Sequence, residues 1–414
     1  MEFTELSLSQ AIQKALKRYD YTNTTPIQEA VIPLVLEGKD VRARAQTGSG
    51  KSASFVLPIL ELLTQRRGEG KKAKIKALVL TPTRELTLQV TEAFENFGHC
   101  LDVKPKAVAI IGGESIGDQL YKVQQGCDIL VATSGRFLEV LSKKQMNLSH
   151  IEFLVLDEAD KMLNFGFSEE LDLILEAIPA TRQNLMFSAT YPQKIVDIAA
   201  KITQDAVEVS IDETAVVEKI SQRVFEVDRD KRGPLLRHLL KTEKYGQTLV
   251  FMANKRATDN IAMKFKKYGI SAQSFHGDLE QEERNETLRD FKQKKIHVLF
   301  ATDIAARGLD IDDIECVVNF DLPRSPADYI HRIGRTARAG KSGHAISFID
   351  HESAAHFKII EKRSGIALKR EVVEGFELTG EAPQKVKGPA PVKGKKKSKK
   401  DKLREQMAKE QGGC

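Results

Sequence analysis

The sequence predicts an α/β fold built as two successive domains, each with a mainly parallel sheet flanked by helices. Short apolar runs, such as Phe153 to Leu156, alternate with helical patterns such as Glu85 to Phe97. The runs are continuous rather than alternating, as expected for strands covered on both faces. A second series begins near Ser221, with apolar runs such as Val298 to Ala301. This order of elements is typical of parallel sheets.

The composition excludes several classes of protein. The 414 residues carry a formal charge of +6, but residues 381–414 hold 11 basic and 4 acidic side chains, and the remainder is close to neutral. A wholly basic nucleic-acid-binding domain is therefore excluded, whereas a folded body with a basic appendage is not. The four cysteines lack paired spacing, which predicts no disulfide framework or zinc site and favours a reducing cytoplasm. No apolar stretch is long enough to span a bilayer and no secretory leader is apparent, so no membrane partner is expected.

Composition shifts divide the chain. We expect a first domain over 1–208, a linker over 209–219, a second domain over 220–372 and a disordered basic tail over 373–414. The linker region is acidic and polar without a strong period, and the tail is rich in Pro and Lys. Such a tail cannot bury apolar surface.

A phosphate-binding loop is predicted where a probable strand meets a helix at Ala45-Gln46-Thr47-Gly48-Ser49-Gly50-Lys51-Ser52. Its glycines permit a tight turn whose amide groups face phosphate oxygens. Lys51 is expected to reach the β- and γ-phosphates and Ser52 to ligate Mg²⁺. Ala45 stands where the first Gly of this motif is usual. A Gly-rich turn before a helix without nucleotide is the alternative.

An acidic motif, Asp157-Glu158-Ala159-Asp160, directly follows the apolar run that ends at Leu156. Carboxylates at the carboxyl end of a parallel strand lie where such sheets bind ligands. Asp157 is expected to hold Mg²⁺ through water, and Glu158 to polarise the attacking water. An acidic helix N-cap is the alternative. Together with Lys51 upstream, the motif favours an ATPase.

With these motifs in place, residues 3–370 resemble the DEAD-box ATP-dependent RNA helicases, in the family's order of motifs. The resemblance implies two tandem RecA-like domains that close on ATP and RNA, and it favours the bacterial RhlE-like branch. It also implies that Phe3 stacks on adenine and that Gln28, in Thr25-Pro26-Ile27-Gln28, contacts the adenine edge. Asp20 and Thr24 depart from the family's usual Gly and Pro.

The same resemblance implies roles for residues spread over both domains. It assigns RNA contacts to Pro82, Thr83, Arg84, Gly113, Thr133, Gly135, Arg136, Gln281, Arg284 and Thr302. It assigns nucleotide contacts to Thr47, Gly48, Ser49, Gly50 and, for the ribose, Asp310. It assigns coupling between domains to Ser188, Thr190, Arg307 and His331, and transition-state stabilisation to Arg335 and Arg338. If the segment around these two arginines is helical, their i, i+3 spacing places them on one face. Ser134 and Ala337 are further departures, from Pro and Gly.

The predicted function is therefore RNA-dependent ATP hydrolysis that separates short RNA duplexes or remodels RNA–protein complexes, with ATP and Mg²⁺ as cofactors. An ATP-gated RNA clamp that separates strands little is the first alternative, and a DNA helicase or translocase is the second. The Lys-rich tail is expected to tether RNA electrostatically, with ribosomal precursors or RNA-decay machinery as partners. Arg42, near the phosphate-loop strand, occupies a position where the family usually has an apolar residue.

Overall fold

The structure is a computed structural model that describes residues 1–45, 49–66, 73–162, 167–211, 220–306, 314–337 and 342–380. Within these ranges the strands form two seven-stranded sheets whose pairings are parallel. Helices cover both sheets. The predicted fold class of two α/β domains is confirmed.

The first sheet has the order β3-β4-β2-β5-β6-β1-β7. Its strands are β1 Val41–Arg44, β2 Ala77–Thr81, β3 Ala107–Ile110, β4 Ile129–Thr133, β5 Phe153–Leu156, β6 Gln183–Ser188 and β7 Val207–Ser210. A 3₁₀ turn, Phe3–Glu5, precedes helices α1 Gln10–Arg18, α2 Pro26–Leu36, α3 Lys51–Arg66, α4 Arg84–Gly98, α5 Ile116–Gln124, α6 Ser134–Leu141, α7 Ala159–Met162, α8 Phe167–Ala177 and α9 Gln193–Ile202.

The second sheet has the order β10-β11-β9-β12-β13-β8-β14. Its strands are β8 Ile220–Glu226, β9 Thr248–Met252, β10 Ala272–Phe275, β11 Val298–Thr302, β12 Cys316–Asn319, β13 Gly343–Ile349 and β14 Arg370–Glu371. After the 3₁₀ turn Arg229–Lys231, the helices are α10 Arg232–Thr242, α11 Lys255–Lys267, α12 Gln281–Lys292, α13 Asp303–Ala306, α14 Pro326–Ile333 and α15 Ala354–Ser364.

The central strands show why their sequences do not alternate between apolar and polar residues. In β2, Ala77 and Val79 belong to the core on one face of the sheet, and Leu78 and Leu80 to the core on the other. Every residue of β2 is buried. A strand covered by helices on both faces needs apolar side chains throughout, which agrees with the prediction.

The edge strand β7 accounts for Arg42. Its register places Glu208 opposite Arg42 of β1, and Arg42 pairs with this carboxylate at 3.4 Å. The Arg42 Nε also donates to the Thr203 hydroxyl at 2.8 Å. An arginine is accommodated because β7 is an edge strand whose residues are half-buried and exposed in alternation. Strand β7 includes Val209, which the sequence analysis places in the linker.

Residues 373–379, which the sequence analysis places in the tail, contact the second domain. Val373 and Phe376 pack against the apolar core on one face of the second sheet. The Thr379 hydroxyl donates to Asp228 at 2.7 Å. Residues 381–414 lie outside the described part of the chain. Among the described residues, no helix is long and apolar enough to cross a membrane.

Candidate nucleotide and RNA site

The phosphate loop lies at the carboxyl end of β1, where α3 begins with Lys51. Lys51 is buried and its Nζ donates to the Ala45 carbonyl at 2.9 Å. Gly50 has a backbone φ of +92°, a value that residues other than glycine rarely adopt. Ser49 and Ser52 are half-buried beside it. Thr47 and Gly48 lie outside the described residues.

The segment that precedes α2 is packed directly against this loop. Thr25 caps α2 in a reciprocal capping box with Gln28, whose Oε1 accepts from the Thr25 backbone N–H at 2.9 Å. The Gln28 Nε2 donates to the Gly50 carbonyl at 3.1 Å. A Cβ on Gly50 would lie 2.5 Å from that same nitrogen. The residue expected to read adenine therefore also holds the phosphate loop.

Phe3 and Tyr21, which are both near the N-terminus, differ in exposure. Phe3, the predicted adenine-stacking ring, is 3% exposed and belongs to the apolar core of the first domain. Tyr21 packs against Phe3 with ring centroids 6.3 Å apart and is 41% exposed. Tyr21 was not singled out from the sequence. It follows Asp20, which has φ +58°, so the departure from Gly falls at a left-handed position.

The acidic motif turns sharply after β5. Asp157 is 1% exposed, and burial raises the pKa of its carboxyl to about 6 although the nearby Lys51 lowers it. Glu158, also buried, has φ +52°, and its backbone N–H donates to Asp157 Oδ1 at 2.9 Å. A non-glycine residue in this conformation is strained, and such strain is concentrated at functional sites.

Asp160 accepts hydrogen bonds from two hydroxyl groups at the end of β6 and directly after it. Ser188 Oγ donates to Asp160 Oδ1 at 3.0 Å, and Thr190 Oγ1 donates to Asp160 Oδ2 at 3.3 Å. Lys161 Nζ lies 3.0 Å from the same Oδ2. Burial raises the pKa of Asp160, but the charge of Lys161 and its hydrogen bond outweigh burial, so the pKa is lowered overall. The structure thus brings the two expected coupling hydroxyls to the acidic motif.

A contact between the two domains extends this cluster. Lys161 Nζ lies 2.9 Å from His331 Nδ1, which belongs to α14 of the second domain. Burial, followed by the charge of Lys161, lowers the pKa of His331 to about 3. The imidazole is therefore neutral and can accept the bond. His331 is among the residues predicted from the sequence to couple the domains. Lys161 is not, although its position directly after the acidic motif is a signal.

The predicted RNA-contacting residues also meet between the domains. Arg84 Nη1 donates to Gln281 Oε1 at 3.1 Å. Glu85 and Arg284 form a buried ion pair at 2.6 Å. A Cβ on Gly113, which has φ +89°, would lie 2.6 Å from Arg84 Nη1, so glycine permits the close approach of this side chain. Glu85 adjoins Arg84 in the sequence, but its ion pair with the second domain was not predicted.

The other predicted RNA residues lie at carboxyl ends of parallel strands. Pro82 and Thr83 follow β2, and Thr83 caps α4 by accepting from the Leu86 N–H at 3.3 Å. Thr133 ends β4, and Thr302 ends β11 of the second sheet. Gly135 is exposed, and Arg136 Nη2 donates to the Glu114 carbonyl at 2.9 Å.

The arginine-rich segment after β12 is helical only in its first part. α14 ends at Ile333, and Gly334 caps it in a non-helical conformation. Arg335 therefore lies in a turn, because Gly334 and Ala337, with φ +58°, end the helical conformation. The condition for a helical face shared with Arg338 is thus not met at Arg335. Arg335 is 4% exposed. Arg307, Asp310 and Arg338 lie outside the described residues.

Arg332 has a role within the second domain. It makes a two-pronged ion pair with Asp303, at 2.6 and 2.7 Å, and its Nη1 donates to Asn319 at 3.0 Å. It is 3% exposed. These bonds fix α14 to the ends of two strands.

Two family models match the chain. The model described as "DEAD/DEAH box helicase" matches residues 25–198, and "Helicase conserved C-terminal domain" matches residues 231–340. Among curated relatives, DEAD-box ATP-dependent RNA helicase CshA of Geobacillus kaustophilus is 40% identical over 89% of this chain and 78% of its own length. ATP-dependent RNA helicase DbpA of Escherichia coli is 41% identical over 85% of this chain and 76% of its own.

Solved structures agree. Mss116p bound to ssRNA and AMP-PNP superposes with a TM-score of 0.81 at 29% identity, covering 89% of this chain and 78% of that one. S. cerevisiae Dbp5 bound to RNA and ADP BeF3 gives 0.78 at 30% identity, over 90% and 95%. A DEAD box protein from Methanococcus jannaschii gives only 0.55 at 38% identity, over 90% and 99%. The whole chain thus superposes better on these two RNA-bound relatives than on the Methanococcus jannaschii protein.

The fold and the site together define a nucleotide-driven protein with two RecA-like domains, in which Lys161, directly after the acidic motif of one domain, contacts the other. More particularly, the chain belongs to the DEAD-box ATP-dependent RNA helicases. These relatives carry the names CshA and DbpA, and the RhlE-like branch stays a prediction.

Proposed function

We propose that this protein hydrolyses ATP when it binds RNA and thereby separates short RNA duplexes or remodels RNA–protein complexes. The observation that carries the proposal is the set of contacts from Asp160 through Lys161 to His331, which joins the acidic motif of the ATP site to the second domain. A change at the nucleotide can therefore alter how the domains meet. If RNA binds both domains, its affinity then depends on the nucleotide.

For ATP, we propose phosphate binding by Ser49, Gly50 and Lys51, with Thr47 and Gly48 in the same loop. Gln28 contacts the adenine edge. Tyr21 is a better candidate than Phe3 for stacking, because its ring is exposed and that of Phe3 is buried. Glu158 polarises the attacking water. Arg335 and Arg338 stabilise the transition state and Asp310 contacts the ribose, as the family resemblance implies.

The chemistry of Asp157 fits a divalent cation. The burial that raises the pKa of this carboxyl to about 6 shows that the protein compensates its negative charge only in part. We propose that Asp157, through water, and Ser52 hold Mg²⁺, which would neutralise negative charge on the β- and γ-phosphates. The fit of this site to Mg²⁺ is argued from the burial and the charge of Asp157. Lys51 would supply a positive charge in addition to that of the cation.

For RNA, we propose contact through the backbone and the 2′-hydroxyl groups, without base reading. The predicted residues at the strand ends of both domains would line this path. Two relatives that superpose on this chain with TM-scores of 0.78 and 0.81 are bound to RNA or ssRNA, which supports the proposal. Arg84 and Gln281, which bond each other here, would share their donors with a phosphate or exchange partners when RNA binds.

We further propose a first domain that ends after Ser210, a linker to residue 219 and a second domain that reaches Thr379. The pairing of β7 with β1 and the contacts of Phe376 and Thr379 support these limits. The basic residues of 381–414 would tether RNA in ribosomal precursors or RNA-decay assemblies through counterion release. The cytoplasm, where ATP and RNA are both abundant, is the proposed location.

The test is the steady-state ATPase rate without nucleic acid, with single-stranded RNA and with DNA of the same sequence. We expect stimulation by RNA alone, lost in Glu158→Gln and retained in the control Glu208→Gln, whose carboxylate is exposed. Equal stimulation by DNA, or none by either polymer, would contradict the proposal. Displacement of a labelled strand from a short RNA duplex then separates a helicase from an ATP-gated clamp.

A further inference from the structure

Lys161 occupies a position between the two domains that the ATPase chemistry does not use. It belongs to α7, directly after the acidic motif, and its side chain is 10% exposed. Its Nζ contacts Asp160 Oδ2 of its own domain at 3.0 Å and His331 Nδ1 of the other domain at 2.9 Å. An ammonium group has three donors in flexible geometry, so it can serve both acceptors at once.

The other hydrogen bonds that the Asp160 carboxylate accepts come from residues of the first domain. Ser188 and Thr190 donate one hydroxyl each, and the Ala189 N–H lies 3.4 Å from Oδ1. Among these contacts, the bond from Lys161 to His331 is the one that reaches the second domain. A neutralising partner for Asp160 alone would not need to meet a second acceptor.

His331 is well placed to transmit such a contact. It is followed by Arg332, whose ion pair with Asp303 and bond to Asn319 hold α14 rigidly to the second sheet. Arg335 follows in the turn that ends α14. A displacement of His331 is therefore shared by α14, by Arg335 and by the sheet.

We propose that Lys161 is a positioning residue that holds His331 against the acidic motif when the domains meet, and so couples the nucleotide state to RNA affinity. This inference rests on the proposed function of RNA-coupled ATP hydrolysis. Burial and the charge of Lys161 keep the pKa of His331 at about 3, so the imidazole accepts the bond rather than repelling the ammonium. In a separated arrangement Lys161 keeps Asp160 and loses His331, so the bond favours the closed arrangement selectively.

The experiment measures RNA affinity with a non-hydrolysable ATP analogue and with ADP, using the full chain and a labelled single-stranded RNA. The ratio of the two affinities reports coupling, whereas a general structural defect lowers both. We expect Lys161→Met to reduce this ratio about tenfold and Lys161→Arg to restore much of it, because arginine can serve both acceptors. Lys201→Met, whose lysine pairs with Asp172 on the surface, is the matched control.

A double-mutant cycle decides whether Lys161 acts through His331. We expect His331→Gln to lower the ratio similarly, and the double variant with Lys161→Met to lower it little further. Additive effects, an unchanged ratio in Lys161→Met, or equal loss of affinity in both nucleotide states would overturn the inference. Failure of the proposed function is distinguishable, because the natural chain itself would then show no RNA-stimulated ATPase.

Discussion

Asp157 and Asp160 lie three residues apart in one motif, and the regions around them treat a buried carboxylate in opposite ways. Asp157 faces the phosphate loop, and burial raises its pKa to about 6. Asp160 faces the contact between the domains, where burial raises its pKa but Lys161 lowers it by more, so the pKa is lowered overall. Two hydroxyl groups also donate to this carboxylate. The first carboxylate is incompletely compensated and suits an incoming cation, whereas the second is satisfied by the protein and suits a structural connection.

The largest effect is expected on the ATPase rate, when the charge of Asp157 is removed. Asp157→Asn keeps the shape of the side chain and removes its charge, so we expect the RNA-stimulated ATPase rate to fall at least about 100-fold. The free energy of unfolding without nucleotide should rise by roughly 1–3 kcal/mol at pH 8, because a buried charge is removed. Thermal denaturation in EDTA and the ATPase assay measure the two effects.

The pH dependence follows from the same raised pKa. An acid whose pKa is higher in the folded state than its ordinary value near 3.8 binds more protons when folded, so it lowers stability as pH rises from about 4 to above 6. The gain from Asp157→Asn should therefore be complete above pH 6 and vanish below about pH 4. A variant that is less stable than the natural chain at pH 8 would contradict this reasoning.

Asp160→Asn should have the opposite effect on stability. It leaves the Lys161 ammonium buried without its carboxylate, which we expect to lower the free energy of unfolding by about 3 kcal/mol. Urea denaturation at pH 8 measures this loss beside Asp157→Asn. If both variants shift stability in the same direction, the distinction between the two aspartates fails.

Backbone strain gives a smaller test in the second domain. Ala337 has φ +58°, and Ala337→Gly should stabilise the protein by about 1 kcal/mol because glycine adopts this conformation without a Cβ clash. Ala262→Gly, the same change within helix α11, should destabilise instead. Thermal denaturation of the two variants gives the signs, and a destabilised Ala337→Gly would refute the assignment of strain.

The smallest effect on stability is expected for an exposed ion pair, and it tests whether burial controls the energies of the buried carboxylates. Glu208 pairs with Arg42 at 3.4 Å, but its side chain is 77% exposed. Glu208→Gln should change the free energy of unfolding by less than about 0.5 kcal/mol, since solvent screens exposed ion pairs. A loss comparable to that of Asp160→Asn, measured in the same urea series, would show that burial does not control these energies.

The sequence predicts the buried central strands well, because a short continuous apolar run between helical patterns is typical of a strand covered on both faces. It does not predict β7, whose Val-Glu-Val-Ser segment resembles a polar linker, because an edge strand is only half covered. The residues of the phosphate loop and the acidic motif can be predicted because each set is a short continuous motif directly after a predicted strand. Lys161, Glu85 and Tyr21 were missed, since their partners or exposure depend on segments far apart in the chain. The end of α14 could not be predicted either, because a single Gly334 is a weak signal beside the four basic residues of the segment 331–338.

The capping box of α2 has a consequence for choice of base. Oε1 of Gln28 accepts from a backbone N–H, and Nε2 donates to a backbone carbonyl, so rotating the amide by half a turn would lose both bonds. The amide group is thus held in one orientation. One N–H of Nε2 and one lone pair of Oε1 remain for a further partner. Adenine, with N7 as acceptor and the N6 amino group as donor, matches this pair. Guanine offers two acceptors on the same edge, so a Gln28 amide that contacts the base as proposed would disfavour guanine without rearranging.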